Sequence, residues 1–163
     1  MATFDSLMTY LRQIQMRDAQ FGGKLQPAAD AEDLASLIKR VQDRFDYSLP
    51  TAYLNILAVA DGMDFNGHTL YASKTHPLRG EENLLLQGLV EINEFWQDYA
   101  GNHDHHLIVF GETGDDLYLF DKRAQKFHVT DKVSGDVYQD FDTFEDLSQQ
   151  FFKDALGINE QDA

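Results

Sequence analysis

The part of this chain that most restricts its fold runs from about His105 to Phe141. Four short stretches, "HLIVFGE", "DLYLFD", "KFHVTD" and "DVYQDF", are rich in β-branched and aromatic residues and read as strands. Only "TGD", "KRAQ" and "KVSG" separate them. Parallel neighbours need a crossover of about a dozen residues or more, so connections this short leave an antiparallel meander as the arrangement. Gly111 and Gly114 fall where a bulge or tight turn would use them.

Helical patterns occupy most of the remainder. Phe4, Leu7, Met8, Leu11 and Ile14 recur at helical spacing behind a possible cap at Thr3, and Gly22, Gly23 and Pro27 then mark a loop. A second helix is expected behind Asp30, with Glu32 and Asp33 in its first turn and an apolar stripe of Leu34, Leu37, Ile38, Val41 and Phe45. In "YSLPTAYLNILAVADG", Pro50 suits a first helical position. Tyr53, Leu54, Leu57 and Ala58 give that helix its inner face, and Gly62 is the expected left-handed stop. Asn66-Gly67 predicts a turn before a short strand around 69–71. "SKTHPLRGEE" reads as loop, and a helix is expected from Leu89 to Tyr99. Asp142 with Glu145 three residues on suggests a capping box for a last helix, with Phe144, Leu147, Phe151, Ala155 and Leu156 facing inward and Gly157 ending it. Helices first, a sheet later and a closing helix make an α+β order, without strand–helix alternation. The expected organisation is a single domain over residues 26–157, an amphipathic helix and loop at 1–25 before it, and a polar tail at 158–163.

Charge narrows the partners. The chain carries 28 acidic against 13 basic residues, a net charge of −15, which disfavours direct binding to phosphate backbones or anionic membranes. The same field would draw in a basic protein and speed the encounter, although it also serves solubility alone. Cysteine is absent, so disulfides, thiolate nucleophiles and zinc fingers are excluded. The N-terminus lacks a signal-peptide pattern and no segment has the length and apolarity of a membrane span, so the cytoplasm is the expected location.

Catalytic signatures are not found. The serines stand in no G-x-S-x-G elbow, and neither a P-loop nor G-x-G-x-x-G occurs. Glu112, Asp115 and Asp116 would supply carboxylates for acid–base work, but general acids need an environment that moves their pKa values apart, and a hairpin tip is usually wet. His103 and His105 would share a face on a strand, beside His106, and His128 or a carboxylate across the sheet would complete a metal set. Zinc signatures use helical spacing or cysteines, which this cluster lacks. No cofactor is expected, and the histidine cluster is a minor option. Trp96 sits on a helix beside Phe95, where a core role outweighs that of a partner anchor.

The order of these pieces resembles the SUKH superfamily, which includes yeast regulators of glucan synthesis linked to killer-toxin resistance and many bacterial immunity proteins. The resemblance rests on Leu49, Pro50 and Tyr53, then Asp61, Gly62 and Leu70, then Phe110, Gly111, Gly114, Asp116, Tyr118, Phe120 and Asp121 in an F-G-x-x-G-x-D-x-Y-x-F-D hairpin. It covers roughly residues 31–157, judged by element order, and the chain is similar to the YrhA-like bacterial members. Asp61 departs from the pattern, since many relatives have asparagine before the glycine. The resemblance implies a twisted antiparallel sheet with helices packed against it and a non-catalytic role. For bacterial members that role is to bind and block a cognate toxin C-terminal domain, often a basic nuclease; the yeast members imply instead a regulatory scaffold that binds host proteins. Acids near the expected turns, Asp64, Glu112, Asp115, Asp116 and Asp136, are the candidate partner-binding residues, chosen from charge and turn position.

Overall fold

The four strand-like runs form the centre of a six-stranded antiparallel sheet in a computed structural model that describes residues 2–20, 25–99 and 106–158. In chain order the elements are α1 (Phe4–Gln20), α2 (Ala31–Phe45), α3 (Thr51–Leu57), β1 (Met63–Phe65), β2 (His68–Leu70), β3 (His76–Leu78), β4 (Glu81–Leu86), α4 (Leu89–Tyr99), β5 (Leu107–Glu112), β6 (Asp116–Asp121), β7 (Lys126–Asp131), β8 (Val137–Phe141) and α5 (Phe144–Leu156). The large sheet has the order β1-β2-β5-β6-β7-β8, and β3 and β4 pair separately. The α+β fold is therefore the one that the element order implies.

One face of the sheet meets α3 and α5 through a cluster of rings. Phe110 stands 5.1 Å from Tyr53 and 4.9 Å from Phe144, and Tyr118 stands 5.0 Å from Phe151. A bulge in β5 puts Phe110 there: Val109 pairs with Leu119 and Gly111 with Tyr118, so Phe110 is the extra residue. Gly111 is needed because a Cβ at that position would lie 2.6 Å from the Thr69 carbonyl oxygen of β2. Helix α1 packs on α5, and Leu7, Leu11 and Ile14 join the same core as the sheet.

Strand β2 leaves β5 early, and α4 closes the gap. Asn93, fully buried, accepts from the Val109 N–H and donates to the Val109 carbonyl, both at 2.8 Å, and also donates to the Leu89 carbonyl at 2.8 Å. A side-chain amide thus satisfies an edge that a strand would otherwise pair. Trp96 of the same helix packs, partly buried, against the core, with Nε1 buried near the Tyr71 hydroxyl.

Several local expectations change. The segment 73–82, expected as loop, contributes to the β3–β4 hairpin, which turns at Gly80 (φ +91°). Its strands are mostly exposed and include Pro77, so they lack the apolar alternation that marks a strand in sequence. The cap of α5 is Thr143, not Asp142: the Thr143 Oγ1 accepts from the Asp146 N–H at 3.2 Å. Pro50 is the cap residue of α3 and not its first helical residue. That helix stops at Leu57, so Gly62 (φ +87°) belongs to the loop beyond it, where a Cβ would strike Leu86 and Ala72. Asp61 does not work as a helix stop either. Buried, it accepts from the Ser73 N–H and Oγ–H, both at 2.7 Å, and fastens the loop after β2 to the end of the α3 region. Asp30 caps α2 as expected, Gly157 ends α5 in the left-handed region, and Asn66-Gly67 forms the turn between β1 and β2.

Candidate functional site

Antiparallel register brings three turns to one end of the large sheet. Thr69 pairs with Glu112 and Asp116 pairs with Asp131, so the β1–β2, β5–β6 and β7–β8 turns lie side by side. Each turn is held by its own side chains. Thr113 Oγ1 accepts from the N–H groups of Asp115 (3.2 Å) and Asp116 (3.0 Å). Asp131 Oδ1 accepts from those of Val133 and Ser134, both at 2.8 Å, and its Oδ2 accepts from the Tyr138 hydroxyl at 2.8 Å. The Lys132 N–H donates to the Asp115 carbonyl at 2.7 Å, which stitches one turn to the next.

Between these turns and the C-terminal half of α5 lies a cleft of about 550 Å³ whose lining includes His68, Asp115, Asp116, Tyr118, Tyr138 and Asp154. Strand alternation supplies part of it. Asp116 and Tyr118 point to the α5 side of the sheet, and Tyr118 donates to Asp154 at 2.5 Å. The carboxylates press on one another. Asp116 is raised above the ordinary aspartate range, first by partial burial and then by Asp115, Asp154 and Asp131, with His68 acting the other way. Asp131 goes down to about 2, because the Ser134 N–H, the Tyr138 hydroxyl and the Val133 N–H all stabilise its ionised form. The Tyr138 hydroxyl is correspondingly pushed up to about 12 by its bond to Asp131. Tyr118 is raised as well, chiefly by burial and then by its bond to Asp154.

The structure gathers four of the five sequence-selected acids at this end. Asp115 and Asp136 are exposed on adjoining turns and Asp116 is half-buried in the cleft, whereas Glu112, paired with Leu117, ends β5 on the opposite face of the sheet. Glu112 is neutralised locally: Lys132 Nζ lies 2.7 Å from its Oε2 and 2.5 Å from the Thr113 carbonyl. Asp64 lies on β1 beside a second opening that also holds Arg17, Asp18 and Asn66. Its carboxyl is raised by partial burial and by Glu81, and that of Asp18 by burial and then Asp64. Asn66 lines both openings, so the two acidic regions adjoin. Sequence reasoning missed Asp131, Asp154, Tyr118 and Tyr138 as part of this surface. The even and odd positions of paired strands could have placed Asp116 beside Asp131; Asp154 arrives only through the packing of α5. A surface of this kind attracts guanidinium and ammonium groups.

Of the histidines considered for a metal, His103 and His105 lie outside the described residues. His106 precedes β5, and His128, on β7, is 4.0 Å from Asp121. Among the described residues no group of three or more His, Asp or Glu side chains is placed to hold a metal ion. No helix among them is long and apolar enough to cross a membrane.

Curated proteins offer no match to this chain. The sequence profile of the SMI1 / KNR4 family (SUKH-1) matches residues 34–150, from within α2 into α5. That match covers the whole large sheet, with the bulged hairpin and the acidic turns on it. The chain therefore belongs to the SMI1 / KNR4 family (SUKH-1), in general a family of non-catalytic binding domains with immunity or regulatory roles.

Proposed function

We propose that this protein is an immunity protein, acting in the cytoplasm by binding a cognate toxin C-terminal domain and masking a basic surface of it. Membership of a family of protein-binding domains supports a protein partner. The observation that carries the choice of partner is the convergence of Asp115, Asp116, Asp131, Asp136 and Asp154 on one end of the sheet, in a chain of net charge −15. A nuclease domain is basic where it grips a phosphate backbone, and carboxylates compete directly with phosphate for that surface. Asp115, Asp116 and Asp136 are the expected contacts, with Asp64 and Glu112 at the margin. Co-expression with toxin C-terminal domains encoded beside the gene tests the reading. The expected outcome is survival of cells that the toxin alone kills, and loss of protection when Asp115 and Asp116 are replaced by lysine; failure of every neighbouring toxin to bind would overturn it.

A second reading, a regulatory scaffold that binds host proteins, is favoured by the regulatory side of the same family. It predicts stable housekeeping partners in cells that carry no toxin gene.

A further inference from the structure

Strand β8 is the outermost strand of the large sheet, paired on the β7 side alone. It differs from the opposite edge, where β1 has only three residues and starts with a buried Met63. On β8 the large side chains of Val137 (52% exposed) and Tyr138 (56%) face solvent, and Val133 in the preceding turn is 96% exposed. An edge of this length with outward apolar side chains is a template for another strand, and proteins guard such edges with charge and bulges. Both guards are present. Tyr138 is a bulge residue, since Val129 pairs with Gln139 and Thr130 with Val137. Asp136 and Asp140 flank it, both exposed, and among the described residues neither takes part in an ion pair within 4.0 Å.

Negative charge decides what this edge accepts. A second copy of the chain would bring its own Asp136, Asp140 and net charge of −15 against the first, so self-pairing is opposed. A basic segment meets the opposite situation. We propose that β8 is a docking edge on which an extended, lysine- or arginine-bearing segment of the partner adds as a strand, its cations reaching Asp136 and Asp140 and its apolar side chains covering Val137 and Tyr138. Main-chain pairing supplies affinity in this mode and the alternating side chains supply selectivity. The inference rests on the reading of the protein as a binder of basic partners.

The test uses the full chain and an alternating Lys-Val peptide, followed by backbone amide NMR and hydrogen exchange. Shifts and slowed exchange confined to Val137–Phe141 are expected, weakened roughly tenfold by Asp136→Lys with Asp140→Lys. An alternating Glu-Val peptide, or the Lys-Val peptide with prolines in place of valines, is expected to leave β8 unchanged. Response to the proline peptide equal to that of the parent, or a response centred on Leu84 and Leu85 of β4 instead, would overturn strand addition at β8. Toxin binding separates the two levels. A neutralised toxin that leaves β8 exchange unchanged sinks the docking edge alone, whereas a responsive β8 with no neutralised toxin sinks the immunity reading alone.

Discussion

Single side chains carry two loads that can be measured separately. Asn93 substitutes for a missing strand on β5, and Asn93→Leu would leave the Val109 N–H and carbonyl buried without partners. Unmet buried groups of this kind cost about 1–3 kcal/mol each, so urea denaturation should show a loss on the order of 3 kcal/mol. Asp131 contributes to acid stability. Its folded pKa is near 2 against an ordinary 3.8, so its stabilisation is complete above 3.8 and is lost as pH falls from there through about 2. Thermal melts between pH 5 and 2 should therefore fall less steeply for Asp131→Asn than for the parent protein, and identical slopes would contradict this assignment. Asn93 was invisible as an edge partner in sequence, because nothing local announces that β2 will stop short of Val109. The Asp61 departure was visible, but its task was not, since Ser73 reaches it only after the chain has doubled back through β2.

Among the elements, those with a strong apolar period were read correctly; of the exposed ones, β8 was read from its valine and aromatic residues, whereas the β3–β4 hairpin was not. Strands β5, β6 and β7 bury four consecutive residues each, and their short turns left no topology but a meander. Hairpin β3–β4 buries almost nothing along β4, so no period marked it. Helix faces were legible to within a residue: α2 buries Leu37, Val41 and Phe45 but leaves Ile38 43% exposed, and α3 buries Ile56 where Ala58 was expected. The candidate surface was half legible. Charge and turn position found Asp115, Asp116 and Asp136, whereas Asp154 and Tyr138 required the packed helix and the bulge. The displaced cap of α5 gives a direct check. Thr143→Ala should destabilise the protein by about 1 kcal/mol in chemical denaturation, while Asp142→Ala, which removes only an exposed pairing with Lys126, should stay within about 0.5 kcal/mol. Equal losses would return the cap to Asp142.

At the scale of the whole molecule, charge sets opposing responses to salt. A net −15 repels itself, so the melting temperature should rise as sodium chloride screens the surface. Association with a basic partner should slow over the same range, because steering weakens within a Debye length of about 8 Å at physiological ionic strength. Stopped-flow mixing and calorimetry across one salt series would show both, and an association rate indifferent to salt would remove charge as the reason for the acidic surface. The contact between α1 and α5 has a consequence for synthesis. The Ala2 N–H donates to Asp146 across 144 positions, and Arg17 donates to the Leu156 carbonyl across 139. During translation the apolar stripe of α1 is made well before α5, the helix it packs against. Until α5 is made, Leu7, Leu11 and Ile14 lack the cover that α5 gives them, and a nascent-chain chaperone would find in α1 an apolar stripe to hold.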